Sequence, residues 1–303
     1  MEFFTLTTTV SLVHVRRVPR SNEMPGINRH KMRGVLKVSS VKQMKTIGVA
    51  CAILLVTIIA AWGGVPSHAS ADEFAVAAAS DLNFAIKELI VEYEKQSGNH
   101  VKLSLGSSGN LYAQLQNGAP FDLYLSADIG YPKKLEEAGL TVPGSLYRYA
   151  VGRVVLWVPK SSPLEVSKGL TVLREQTIRK IAIANPKHAP YGRAAVAAME
   201  HEQVYADVKD RLVLGENISQ AAQFIESGAC DVGIIALSLA LAPTMKNAGA
   251  YWQIPAEAHP PLEQGAVILK QSKNQETVRH FLTFMQGPQG QEIMTRYGFT
   301  LPS

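Results

Sequence analysis

The chain has 303 residues, 47% hydrophobic and 18% charged, a balance that supports one large domain or two ordinary ones and excludes a disordered chain. Its formal net charge of +5 would suit nucleic acid or an anionic membrane, but the excess sits at one end. Residues before Ala71 carry nine Lys and Arg against two acidic residues, and the chain from Asp72 onward carries 21 against 23. The greater part is nearly neutral, so no argument for a nucleic-acid partner survives.

Residues 46–62 form a run of 17 without a charge, preceded by Lys42 and Lys45 and followed by Gly63, Gly64, Pro66 and Ala69-Ser70-Ala71. A basic segment, a short apolar run and a small-x-small site describe a secretory signal peptide over about residues 44–71, cleaved after Ala71. The competing reading is an uncleaved anchor, because the run approaches the roughly 20 residues of a spanning helix. Residues 1–43 are too long and too mixed for a signal n-region. Met44 offers an alternative start, which makes 1–43 a gene-model extension. Of the two cysteines, Cys51 leaves with the leader and lacks the setting of a lipoprotein cleavage site. Cys230 is then alone, which excludes an intrachain disulfide, and it reads as a small buried hydrophobe.

From residue 72 the elements follow in order. The apolar run 74–79 (FAVAAA) suits a buried parallel strand. Leu82, Ala85, Ile86, Leu89, Ile90 and Tyr93 recur at helical spacing, and Gly98 closes that helix. Residues 101–105 alternate as a strand, and Gly106-Ser107-Ser108-Gly109 turns into a helix ending near Gly118. A strand over 121–126 and a helix over 131–138 follow. Residues 149–158 are β-rich and long enough for two strands, or for one that passes between domains. Beyond Pro159 the rhythm restarts. A strand covers 181–184 and a helix 192–201, then come the segment 209–213, a helix 218–227 and a strand 232–236. Strands at 251–254 and 266–269, a helix over 275–285 and a segment 288–297 complete the chain. Strand-helix alternation at this spacing predicts α/β architecture. The expected organisation is a leader 1–71, a first lobe of 72–150 plus 251–303, and a second lobe of 151–250. Two crossings make a hinge, with a ligand cleft between the lobes.

Small polar residues stand where strands turn into helices: Ala79-Ser80-Asp81, Gly106-Ser107-Ser108-Gly109, Pro190-Tyr191-Gly192 and Glu216-Asn217-Ile218-Ser219. Free N–H groups and the positive end of the helix dipole make such places anion sites, and Ser hydroxyls add donors. The plainer reading of each Ser or Asn is an N-cap. Enzyme signatures are missing: there is no G-x-S-x-G, H-E-x-x-H or C-x-x-C, and the Gly-rich turn lacks the Lys of a phosphate loop. His100, His188, His201, His259 and His280 show no metal-ligand spacing. A Ser80 or Ser108 nucleophile would need a base, and neither turn carries His or Lys.

Ala77-Ala78-Ala79-Ser80, Ser107-Ser108-Gly109, the run 118–128 (GAPFDLYLSAD), Asn185-Pro186 with Ala189-Pro190-Tyr191-Gly192, and Gly287-Pro288-Gln289-Gly290 with Arg296-Tyr297-Gly298-Phe299 carry a resemblance. Together they resemble the periplasmic molybdate-binding proteins of molybdate ABC transporters, over essentially all of 72–303. The resemblance implies a type II periplasmic-binding-protein fold, two lobes each with a mostly parallel sheet flanked by helices. It also implies a periplasmic, monomeric protein that captures molybdate, and tungstate with it, for a membrane permease. The remaining alternatives are a binding protein for sulfate or another tetrahedral oxyanion, and a secreted enzyme with a Ser nucleophile. By position the resemblance assigns the oxyanion to Ser80, Ser108, Tyr191 and Ile218, with no cofactor and no catalytic residue. Molybdenum enters only as the bound oxyanion, with no protein ligand to a cation. Where many members place a tyrosine after the strand 232–236, this chain has Ala236. Either the N–H of Asp81 or the hydroxyl of Tyr191 then replaces that donor, or affinity and oxyanion choice differ. Phosphate keeps a proton that needs an acceptor, so a site made of donors alone selects a fully ionised dianion.

Overall fold

The computed structural model describes residues 71–301; the leader, Cys51 and the cleavage site lie outside the described residues. In chain order the elements are β1 (Glu73–Ala79), a single 3₁₀ turn (Ser80–Leu82), α1 (Asn83–Ser97), β2 (His100–Gly106), α2 (Ser108–Gln116), β3 (Leu123–Ser126), α3 (Gly130–Glu137) and β4 (Tyr147–Gly152). There follow β5 (Val154–Pro159), β6 (Ile181–Ala184), α4 (Pro190–His201), α5 (Tyr205–Val208), β7 (Leu212–Gly215), α6 (Ile218–Glu226), β8 (Val232–Ala236) and α7 (Leu237–Ala240). The chain continues through β9 (Gly249–Gln253), β10 (Leu262–Ile268), α8 (Gln275–Gln286) and α9 (Pro288–Arg296).

Two five-stranded sheets result, ordered β2-β1-β3-β10-β4 and β7-β6-β8-β5-β9. In the first, β10 runs against both neighbours while β1, β2 and β3 pair in parallel. In the second, β5 runs against both neighbours while β6, β7 and β8 pair in parallel. Each sheet is therefore mostly parallel, and its one reversed strand is the strand by which the chain arrives from the other sheet. Every residue of β3, β6 and β8 is buried, as continuous apolar runs in a sheet covered on both faces require. In the first sheet's core, Phe74, Tyr93 and Phe281 meet with ring centroids 5.1–6.2 Å apart. Gly98 takes a left-handed conformation (φ 74°) and returns its N–H to Glu94 O, which ends α1.

The β-rich run at 149–158 is two strands divided at Arg153, one in each sheet. Residues 251–253, assigned from the sequence to the first lobe, pair instead with β5 in the second sheet. The return crossing therefore falls after Gln253. β10 begins four residues before the apolar run that signals it, because Leu262-Glu263-Gln264-Gly265 mixes polar residues with a register shift between Gln264 and Gly265. Cys230 is buried, and burial pushes its thiol up. Among the described residues no helix is long and apolar enough to cross a membrane.

Candidate functional site

Ser80, Ser108, Tyr191 and Ile218 line one cleft, together with Asp81. The cleft is narrow, with an enclosed space of about 10 Å³, room for about one water-sized body. The 3₁₀ turn and α2 come from the first sheet, α4 and α6 from the second, so the walls belong to both. No Lys, Arg or His lines it.

The local chemistry separates donors from caps. Asn217 is a true N-cap, accepting Gln220 N–H at 3.0 Å, so it serves α6 itself. At α2 the N-cap Ser107 makes no capping bond. Ser108 Oγ instead accepts the N–H of Ala127 at 3.0 Å. Its oxygen is thus held by a donor and its own proton is free for another acceptor. Ser80 Oγ accepts Ser219 N–H at 3.4 Å, and Ser219 Oγ donates to Ser80 O at 2.7 Å. Tyr191 is the second residue of α4, after Pro190, and Ile218 is the first of α6. Their N–H groups are among the first of each helix, which have no intrahelical acceptor.

Asp81 is 1% exposed. Its Oδ2 accepts from Gln264 Nε2 at 2.6 Å and from Tyr191 Oη at 3.1 Å, while Oδ1 has no partner. Burial pushes the carboxyl up to about 6, although the bonds from Gln264 and Tyr191 pull against it. The Tyr191 hydroxyl is therefore engaged with Asp81, so the part of Tyr191 left for an anion is its N–H. Ala236 does not line the cleft; it pairs with Val154 and leads into α7, whose Ser238 Oγ donates to Asp81 O at 2.7 Å. The expectation of a wall made only of donors is corrected by Asp81, whose carboxyl the sequence does not single out. Gln264, its partner 183 positions away, carries no local signal.

Around the mouth the two sheets' elements bond directly. His188 O accepts Gly109 N–H at 2.9 Å, and the His188 ring lies 2.8 Å from Ser107 Oγ. His188 Nε2 stands 3.9 Å from Glu216, beyond hydrogen-bond reach. Asn110 donates to Glu216, and Arg193 pairs with Asp128 at 2.6 Å and lies over the Tyr131 ring. Arg193 is partly exposed but committed to this bridge. Among the described residues no group of three or more His, Cys, Asp or Glu is placed to hold a metal ion.

The model of the bacterial extracellular solute-binding protein family matches residues 74–300. The molybdate-binding protein ModA of Azotobacter vinelandii is 38% identical over 233 residues, covering 77% of this chain and 92% of its own. ModA of Rhodobacter capsulatus is 37% identical over 243 residues, covering 80% and 94%. The solved periplasmic molybdate-binding protein of Azotobacter vinelandii superposes with a TM-score of 0.72 at 34% identity, covering 76% of this chain and all of that one.

Proposed function

The chain belongs to the bacterial extracellular solute-binding proteins, and from that premise we propose that it captures molybdate in the cleft and delivers it to the membrane permease of an ABC importer. One observation carries the reading: four helix-start turns, two from each sheet, bring uncharged donors to one small cleft that no cation lines. A tetrahedral dianion is held there by the hydroxyls of Ser80 and Ser108 and the N–H groups of Asp81, Tyr191 and Ile218. Each charge-assisted bond contributes roughly 1.5–3 kcal/mol, so several of them replace a counter-ion. Tungstate has the same charge and shape and enters the same site. The protein works by binding and release, as an exported monomer in the periplasm, with no bond made or broken.

The lobes in this reading follow the sheets, with hinge segments at Arg153 and at residues 254–261. Donors from both lobes reach one ion only when the lobes close. Thermal unfolding of residues 72–303 with molybdate, tungstate, sulfate and phosphate tests the proposal. At a hundredfold excess over Kd, a ligand of the native state adds about 2.7 kcal/mol, a rise of roughly 5–10 °C for a chain of this size. Molybdate and tungstate are expected to give that rise and sulfate and phosphate none. A rise with sulfate alone would make this a sulfate-binding protein, and no rise with any of the four would refute oxyanion capture.

A further inference from the structure

We infer that Asp81 takes up a proton from solvent when the oxyanion binds, so that the site presents a neutral acid beside its ligand and selects a fully ionised dianion. The inference rests on the oxyanion reading above and deepens it by naming the residue that sets which oxyanion fits.

The geometry leads there from three sides. Asp81 lines the cleft and is 1% exposed, so its charge and the ligand's would share one desolvated space. Nothing facing Asp81 offers a compensating charge. From its own turn it has the N–H groups of Asp81 and Leu82, from α4 Tyr191, from β10 the neutral amide of Gln264 and from β4 Tyr149. From α7 the hydroxyl of Ser238 reaches only its carbonyl. Both tyrosines are pushed well above their ordinary range by burial, so they stay neutral. Finally, Asp81 Oδ1 and Gln264 Oε1 are both buried acceptors without a donor. A proton on the carboxyl turns one acceptor that lacks a donor into a donor and removes the like-charge repulsion at the same time. An ionised Asp81 would do the opposite. Its free oxygen would accept the proton of a hydrogen-bearing oxyanion such as phosphate, and it would repel molybdate.

With burial pushing its carboxyl up to about 6, Asp81 is mostly ionised at pH 7 when no anion stands beside it. Calorimetry of residues 72–303 with molybdate, from pH 6.5 to 8.5 in two buffers of different ionisation enthalpy, reads the coupling directly. The expected results are uptake of most of one proton per molybdate at pH 7 and an affinity that falls about tenfold per pH unit once Asp81 is fully ionised without ligand. Asp81→Asn should remove both the uptake and the slope. Ser80→Ala should weaken binding and keep both, which separates loss of a proton acceptor from loss of a wall residue. Phosphate should not bind at any pH in the series. Molybdate binding with no proton uptake and a flat pH profile would overturn the inference and leave the function standing. Phosphate binding that grows as Asp81 ionises would assign it the acceptor role instead. No molybdate binding at any pH would overturn both readings.

Discussion

Gly109 offers a way to obstruct closure without altering any group that meets the ligand. It is the second residue of α2, with φ outside the left-handed region, so alanine fits its backbone. A Cβ at this position would stand 2.6 Å from His188 O, 3.0 Å from His188 Cα and 2.8 Å from Tyr131 Oη. The tyrosine is the far end of a side chain and can turn aside; the His188 carbonyl is backbone from the opposite sheet's side of the cleft. Bringing that contact from 2.6 Å to an ordinary distance requires the two walls to part by about 0.8 Å, a strain of about 1–3 kcal/mol by the measure of overpacked contacts. On the proposal that the lobes open without ligand, the described form, with these walls in contact, is the closed one, so the strain appears as a 5- to 150-fold loss of molybdate affinity. In the ligand-free protein Gly109→Ala should be neutral or stabilising by up to about 1 kcal/mol, since alanine is the better helix residue. Calorimetry with molybdate and urea unfolding without it give the two numbers. Small-angle scattering should show less compaction in the variant than in the parent at equal ligand. Native affinity in Gly109→Ala would refute the argument that this contact forms on closure.

Substitutions at three positions test separate features of the site. Ser108→Ala should weaken molybdate binding by roughly 1–3 kcal/mol and also lower ligand-free stability, because the buried N–H of Ala127 loses its acceptor; Ser108→Asp should abolish binding by setting a carboxylate against a dianion, and native affinity in that variant by calorimetry would remove Ser108 from the site. Burial pushes the Asp81 carboxyl up to about 6 against an ordinary 3.8, so its ionisation destabilises the fold progressively as pH rises from 3.8 to 6. Asp81→Asn should then add up to about 3 kcal/mol at pH 7 and almost nothing below pH 4, and a urea-unfolding difference independent of pH would contradict the burial of that charge. Arg193→Ala removes a bridge whose side chains are 40% and 37% exposed, so the expected loss of affinity is under about 1 kcal/mol. A loss measured by calorimetry at tenfold or more per decade of salt would put Arg193 on the ligand.

What the sequence made legible was local. The runs FAVAAA and IAIA, the helical spacing from Leu82 to Tyr93, and the polar residues at each strand-to-helix turn each state their structure within a few neighbouring positions. The four turns could be named as anion sites because a helix start has the same free N–H groups wherever it occurs. What stayed hidden depends on pairs far apart in the chain. Nothing near Asp81 foretells Tyr191 at 110 positions or Gln264 at 183, and without them the carboxyl reads as one more turn residue. His188 looked like an isolated histidine until the fold set it against Ser107 and Gly109. β9 went to the wrong side of the crossing because a short strand's pattern shows its burial and not its neighbour. Ala236 enters the site by position alone, whereas in the fold it pairs with Val154 in the second sheet and does not line the cleft.

In the proposed site, donors without charge, drawn from both sheets, hold the oxyanion. A crystal structure of residues 72–303 grown with molybdate, with molybdenum located by its anomalous scattering, tests this most directly. The expected result is one molybdenum site in the cleft between the four turns. Its oxygens should lie within hydrogen-bond distance of Ser80 Oγ, Ser108 Oγ and the N–H groups of Asp81, Tyr191 and Ile218, with no Lys or Arg touching them. A molybdate seated elsewhere, or paired in the cleft with Arg193 drawn away from Asp128, would contradict the claim.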